Sequence, residues 1–289
     1  CNRHGIPYAF SDYKDILKDP EIDAVLICSP TDTHAQIAIE AAEAKKHIFC
    51  EKPVDLNVER VKEVMEAVER NNVKIQIGFN RRFDHNFAKV KELIDSGQLG
   101  EIHVIKITSR DPEPPNINYV KTSGGLFLDM TIHDFDMARY LTGSEVKEVY
   151  AIADCKIDPS IGKEGDVDTA VITLKFENGV IGVIDNSRKA AYGYDQRVEV
   201  FGSKGMVRTE NDTPSTAVLS IVEGIISEKP KYFFLERYMD SFAEEMKAFI
   251  HAIINDKKPL VSVMDGLKSL EIGLAAKESH RLGVPVSLK

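Results

Sequence analysis

Residues 24–29 (AVLICS) form a short, almost unbroken apolar run, the pattern of a parallel strand covered on both faces. Residues 33–45 switch to a helical rhythm, with Ile37, Ala38, Ala41 and Ala42 on one side. The alternation repeats, with a strand at 47–50, an amphipathic helix at 57–71 and a third strand at 73–79. Val58, Val61, Val64, Met65 and Val68 mark the inner side of that helix. Strand–helix alternation with short connections predicts right-handed crossovers and a doubly wound sheet. Beyond Phe79 the rhythm changes. A helix at 87–96 leads to an alternating strand at 102–110, a loop rich in Pro and Asn at 111–122 and a helix at 129–141. Strands then follow in near succession at 146–154, 169–176, 180–188, 196–202 and 206–210. Short turns such as Glu177-Asn178-Gly179 and Gly202-Ser203-Lys204-Gly205 join them. Helices over 235–255 and 264–282 close the chain.

The expected architecture is a Rossmann-type α/β domain over residues 1–79 and an α+β domain over 80–289. The second domain is expected to carry an open, mainly antiparallel sheet, and the closing helix to pack back on the first domain. Composition adds exclusions. The 289 residues are 43% hydrophobic and 29% charged, ordinary for a folded globular chain. Thirty-seven basic against 46 acidic residues leave a net charge of −9, which repels phosphate backbones and offers no patch to an anionic membrane. No apolar stretch approaches the roughly 20 residues that span a bilayer, and the start CNRHGIPYAF is not built like a signal peptide. The four cysteines, Cys1, Cys28, Cys50 and Cys155, are widely spaced, so neither a disulfide framework nor a metal site is expected. Cys28 and Cys50 each end an apolar run and read as buried strand thiols, and a reducing cytoplasm fits best.

Candidate chemistry gathers where predicted strands end, the edge at which open α/β sheets take ligands. Ser29-Pro30-Thr31 follows the first strand, and Thr31 or Thr33 can cap the next helix. Glu51-Lys52-Pro53 follows the second, placing an ammonium at the lip of an apolar sheet, where it could polarise a substrate oxygen. Asn80-Arg81-Arg82-Phe83-Asp84 follows the third and offers donors to hydroxyls or carboxylates. The densest signal runs from Gly124-Gly125 to Asp136. Asp129 and His133, four apart, share a helix face, so a carboxylate can fix the tautomer of an imidazole acting as general base, and Asp136 shares that face. The same pattern also serves a helix cap and a core histidine. Ala191-Tyr192-Gly193-Tyr194-Asp195 is an aromatic patch at a strand bend. No GxGxxG, Walker, GxSxG or HExxH motif is present.

These residues resemble the glucose–fructose oxidoreductase, inositol dehydrogenase and rhizopine-catabolism (Gfo/Idh/MocA) family. The carriers are Cys28-Ser29-Pro30-Thr31 with His34, Glu51-Lys52-Pro53, residues 78–84 (GFNRRFD), and Gly124-Gly125 leading into residues 129–134 (DMTIHD). Arg110-Asp111-Pro112, Asp129 to Asp136 and Tyr192-Gly193-Tyr194-Asp195 look most like its inositol 2-dehydrogenase branch. The resemblance implies NAD-dependent oxidation of myo-inositol at carbon 2 to the 2-keto inosose, or of another polyol such as scyllo-inositol or a sugar. A non-catalytic NAD(P)-binding regulator built on the same fold is the remaining alternative, against which the presence of Lys52, Asp129 and His133 speaks. The resemblance further implies that Lys52 bonds the reacting hydroxyl, His133 removes its proton and Asp129 orients that histidine. Arg81, Asp136 and Tyr194 match positions that hold ring hydroxyls. Asp111, where some members carry Asn, bears on which polyol is preferred. Ser29, Pro30, Thr31, His34, Glu51, Lys52 and Asn80 match positions near the cofactor. The family's open sheet implies a homodimer or homotetramer. The missing glycine loop, which cradles the dinucleotide pyrophosphate, makes the sequence read as an N-terminally shortened version of a longer chain.

Overall fold

A computed structural model describes residues 5–288, which form two compact units. The first holds the described residues up to Gly78 together with Ala248–Leu267, and the second holds Phe79–Lys247 and the described residues from Lys268 onward.

In the first unit, helix α1 (Tyr13–Lys18) starts where the Asp12 carboxylate accepts the Lys14 N–H. Strands β1 (Ala24–Ile27), β2 (His47–Cys50) and β3 (Ile75–Ile77) form a parallel sheet in that order. Helices α2 (Thr31–Glu43) and α3 (Val58–Asn71) are the crossovers and pack on each other. The Asn57 side chain caps α3 and Asn72, in the left-handed region, stops it. Burial departs from expectation at β1. Cys50 is buried, but Leu26 and Cys28, on and just after β1 at one edge of the sheet, are exposed. Cys1 lies outside the described residues. Phe249 meets Phe49 edge-on at 6.0 Å, and Gly266 sits so close to Val54 that a Cβ would reach its methyl at 3.1 Å.

The second unit opens with a 3-10 turn, Asn80–Phe83, and helix α4 (His85–Asp95), capped by the Asp84 carboxylate. Strand β4 (Ile102–Arg110) follows, and then helix α5 (Ile117–Ser123) inside the stretch expected to be loop. The helix expected from 129 starts earlier and differently. A π-helical turn over Leu126–Met130 precedes helix α6 (Ile132–Thr142). Strands β5 (Val146–Asp154), β6 (Thr169–Phe176), β7 (Ile181–Ser187), β8 (Asp195–Gly202) and β9 (Gly205–Arg208) follow, with a short helix α7 (Pro159–Lys163) after β5. A separate hairpin, β10 (Val218–Ile221) and β11 (Gly224–Ser227), was not expected. Helices α8 (Phe234–Arg237), α9 (Met239–Ile254) and α10 (Val263–Leu282) and strand β12 (Val286–Ser287) complete the chain.

The large sheet runs β12-β5-β6-β7-β4-β8-β9 and is antiparallel except for one pair, β4 with β7. Its inner face carries Ile105, Ile107, Ile172, Leu174, Ile184 and Val200, packed against Phe135, Met137 and Leu141 of α6 and Ile272 and Ala276 of α10. Alternate residues such as Ile152, Val171 and Phe201 point outward and stay exposed.

Candidate active site

The single parallel pairing builds the centre of the second unit's site. β4 and β7 run side by side in register to Arg110↔Ser187, so the residues that follow, Asp111 and Arg188, emerge together at one edge. The Asp111 N–H donates to Ser187 O at 2.9 Å, and Arg188 Nη1 meets Asp111 Oδ2 at 3.2 Å. β8 runs against β4 and pairs Asp195 with Arg110, which brings Tyr194 to the same edge.

One residue further in, the three strands set Asn186, Ser109 and Gln196 in a row, all buried. Most of these polar groups are matched, the exception being Gln196 Nε2, which is buried without a partner among the described residues. Ser109 Oγ donates to Gln196 Oε1 (2.6 Å) and accepts from Arg81 Nη1 (3.0 Å). Arg81 also pairs with Asp134 at 2.6 Å, Asn186 Nδ2 donates to the other oxygen of Asp134 at 2.8 Å, and the Thr131 hydroxyl donates to Asn186 Oδ1 at 2.6 Å. Burial pushes the Asp134 carboxyl up, against the pull of Arg81 and Asn186. This network holds α6 on the sheet.

Above it sit the residues singled out as chemical. Asp129, buried in the π turn, accepts from the Tyr119 hydroxyl at 2.8 Å and from Arg188 Nη2 at 2.9 Å. The turn exists because Gly124 and Gly125 take φ of +90° and +82°, the left-handed region, and Leu126 N–H is caught by the Asp166 carboxylate at 3.1 Å. Its widened ring, Thr131 N–H to Leu126 O at 2.9 Å, also changes the angle between Asp129 and His133 from that of a continuous α-helix. His133 lies half-buried in the first turn of α6, edge-on to Phe79 at 5.8 Å. Asp136, expected to hold a ring hydroxyl, is engaged at both oxygens by Arg82 (2.8 and 2.6 Å), whose guanidinium lies 5.0 Å over the Tyr140 ring. Asn80 is buried at the head of the 3-10 turn, and Tyr194 is buried edge-on to Phe233 and Tyr238. Burial pushes the Asp111 carboxyl up, with Arg188 opposing. Arg188, Asn186, Tyr119 and Ser109 were not among the sequence candidates.

In the first unit, the parallel strands end on one edge. Ser29 Oγ is 2.6 Å from Thr33 Oγ1, and Thr31 opens α2 behind an extended Pro30. His34 is buried and faces inward, its Nε2 at 2.8 Å from Ser29 O and its Nδ1 at 2.8 Å from Pro53 O, so it fastens the loops after β1 and β2 together. Burial raises the Glu51 carboxyl, which lies against Gly78, and Lys52 precedes a cis Pro53. Hydroxyls, carbonyls and a carboxyl on the carboxyl edge of a parallel sheet suit the ribose and amide groups of a dinucleotide. Among the described residues no cluster of three or more His, Cys, Asp or Glu is arranged to hold a metal ion, and no helix is long and apolar enough to cross a membrane.

Residues 1–79 match the oxidoreductase family described as having an NAD-binding Rossmann fold, and residues 87–208 match the GFO/IDH/MocA C-terminal domain. The chain is 52% identical to the myo-inositol 2-dehydrogenase of Thermotoga maritima over 95% of its own length and 82% of that protein. A crystal structure of a probable dehydrogenase from Thermotoga maritima superposes with a TM-score of 0.98 at 50% identity, covering 99% of this chain and 86% of that one. The scyllo-inositol dehydrogenase of Lactobacillus casei, solved with NAD(H) and scyllo-inositol bound, superposes with a TM-score of 0.89 at 34% identity, covering 96% and 84%. Fold, motifs and likeness over nearly the whole length agree: the chain belongs to the Gfo/Idh/MocA family of NAD-binding oxidoreductases.

Proposed function

We propose that this protein oxidises myo-inositol at carbon 2 to the 2-keto inosose. One C–H and one O–H bond break and a C=O forms. NAD, when bound, would supply the hydride acceptor. Lys52 donates a hydrogen bond to the reacting hydroxyl, and His133 takes its proton. Asp129, fixed by Arg188 and Tyr119, supplies the negative charge that favours the protonated imidazole. Arg81, Asp111, Asp136 and Tyr194 hold the remaining hydroxyls, and Ser29, Pro30, Thr31, His34, Glu51 and Asn80 form or brace the cofactor side. The observation that carries this reading is the polar layer at the joined ends of β4, β7 and β8. A ring bearing a hydroxyl on every carbon needs many donors and acceptors, and a carboxylate-rich edge followed by one imidazole supplies them.

The test is NADH formation with myo-inositol, scyllo-inositol and a sugar panel, with NAD and with NADP. Turnover of myo-inositol with NAD supports the reading. Turnover of scyllo-inositol in its place moves the assignment to the second reading, favoured by the likeness to the scyllo-inositol dehydrogenase. We further infer a cytoplasmic enzyme, supported by the free thiols Cys28, Cys50 and Cys155, whose copies assemble through the outer face of the seven-stranded sheet.

A further inference from the structure

Two carboxylates converge on one buried guanidinium. Arg188, 5% exposed, reaches Asp111 with Nη1 and Asp129 with Nη2, while its backbone N–H donates to Asp168 O at 2.8 Å. Among the described residues it is the cation in direct contact with Asp111. We propose that Arg188 is a positioning residue: one rigid fork fixes the Asp111 loop to the Asp129 turn, and so sets both carboxylates relative to the helix that carries His133. This rests on the oxidoreductase reading above.

The physical argument is one of charge and shape. Burial raises the Asp111 carboxyl, Arg188 opposes the rise and the nearby Asp129 adds to it. Burial also works against the charge of Arg188, but the two carboxylates outweigh it. Tyr119 on α5, Arg81 on the 3-10 turn and Tyr194 ahead of β8 are among the other groups facing the pair. Tyr119 and Tyr194 bring no positive charge, and Arg81 already pairs with Asp134 through Nη1. Without Arg188, Asp111 loses the cation in contact with it and the Asp129 turn loses its tie to the Asp111 loop. A lysine keeps one charge but lacks the planar fork that spans both acids.

The experiment compares wild type, R188K, R188M, D111N and D111N/R188M by thermal melting, by the pH profile of kcat/KM for myo-inositol with NAD, and by carboxyl 13C titration of Asp111 and Asp129. In R188M we expect kcat/KM to fall about 100-fold, the size of effect that follows an ångström-scale misplacement. We also expect the acid limb of its profile to move up by about one pH unit, with the carboxyl midpoints rising in parallel. R188K should fall between, and in D111N/R188M the Asp129 midpoint should move back toward its wild-type position because one of the two facing charges is gone. A folded R188M with an unmoved pH profile and unmoved carboxyl midpoints overturns the proposal. If R188M does not fold, the D111N against D111N/R188M comparison of Asp129 titration decides it in the same way. If wild type turns over no polyol, the functional reading fails, and the carboxyl titrations alone still uphold or overturn the role of Arg188.

Discussion

Asp129 and His133 stood out in the sequence because their relation is local: four positions on one predicted helix. Arg188 did not, because its partner Asp129 lies 59 positions away and the two meet only through strand pairing. His133→Ala should lower kcat by about 10²–10⁴-fold, the span of general-base catalysis, while NADH binding followed by fluorescence stays intact. Equal losses of turnover and cofactor affinity would instead make His133 a structural residue. A second single-residue consequence concerns acid stability. Asp168 is fully buried, and although burial opposes its charge, the N–H groups of Lys156, Asp158 and Ile157 and the Thr169 hydroxyl hold its carboxyl below the usual range. A depressed folded-state value stabilises the fold above the unfolded midpoint of about pH 4, and that contribution fades as pH falls through the folded value. Asp168→Asn should therefore cost about 1–3 kcal/mol in urea unfolding at neutral pH, with the gap to wild type narrowing toward pH ~3. A gap independent of pH would show that packing, not charge, is at stake.

Among the elements, the regular strands were legible to within a residue or two, since β6 alternates cleanly between buried and exposed positions and β4 and β5 do so beyond an early bulge. The misses share a cause. Helix α5 has 7 residues, too few for a helical period to emerge, and its start depends on the Asn116 side chain accepting the Tyr119 N–H. The π turn is equally invisible to a periodicity argument, because it is made by two left-handed glycines and by an acceptor, Asp166, from a distant loop. Gly125→Ala should be harmful on both counts: it forces an alanine into φ +82°, and its Cβ would collide with the Asp166 carboxylate. We expect a loss of about 1–3 kcal/mol in melting experiments together with a fall in kcat, because the turn carries Asp129. Retained kcat in a destabilised G125A would separate the turn's structural role from the catalytic one.

For the molecule as a whole, the outer face of the large sheet leaves Ile152 at 62% and Val171 at 49% exposed, and the two are cross-strand partners on β5 and β6. Exposed apolar residues in register on an open sheet favour burial against a second copy. Val171→Glu should shift the protein toward monomer in light scattering behind size exclusion, with the melting temperature falling as the assembly is lost. An unchanged mass would move the interface elsewhere.

The order of strands and helices, the change of rhythm near Phe79, the charge balance and the Asp129–His133 spacing all come from interactions within a few residues of each other, so the linear pattern carries them. The register of β4 beside β7 does not, because parallel neighbours are joined by long crossovers and nothing near Arg110 or Ser187 names its partner. That one pairing puts Arg188 against Asp111 and Asp129 and sets Ser109 beside Asn186, the two strand residues that meet Arg81 and Asp134. Long-range pairing is selected by the burial of the whole sheet face and by the matching of buried charges, and both become definite only once the chain has folded.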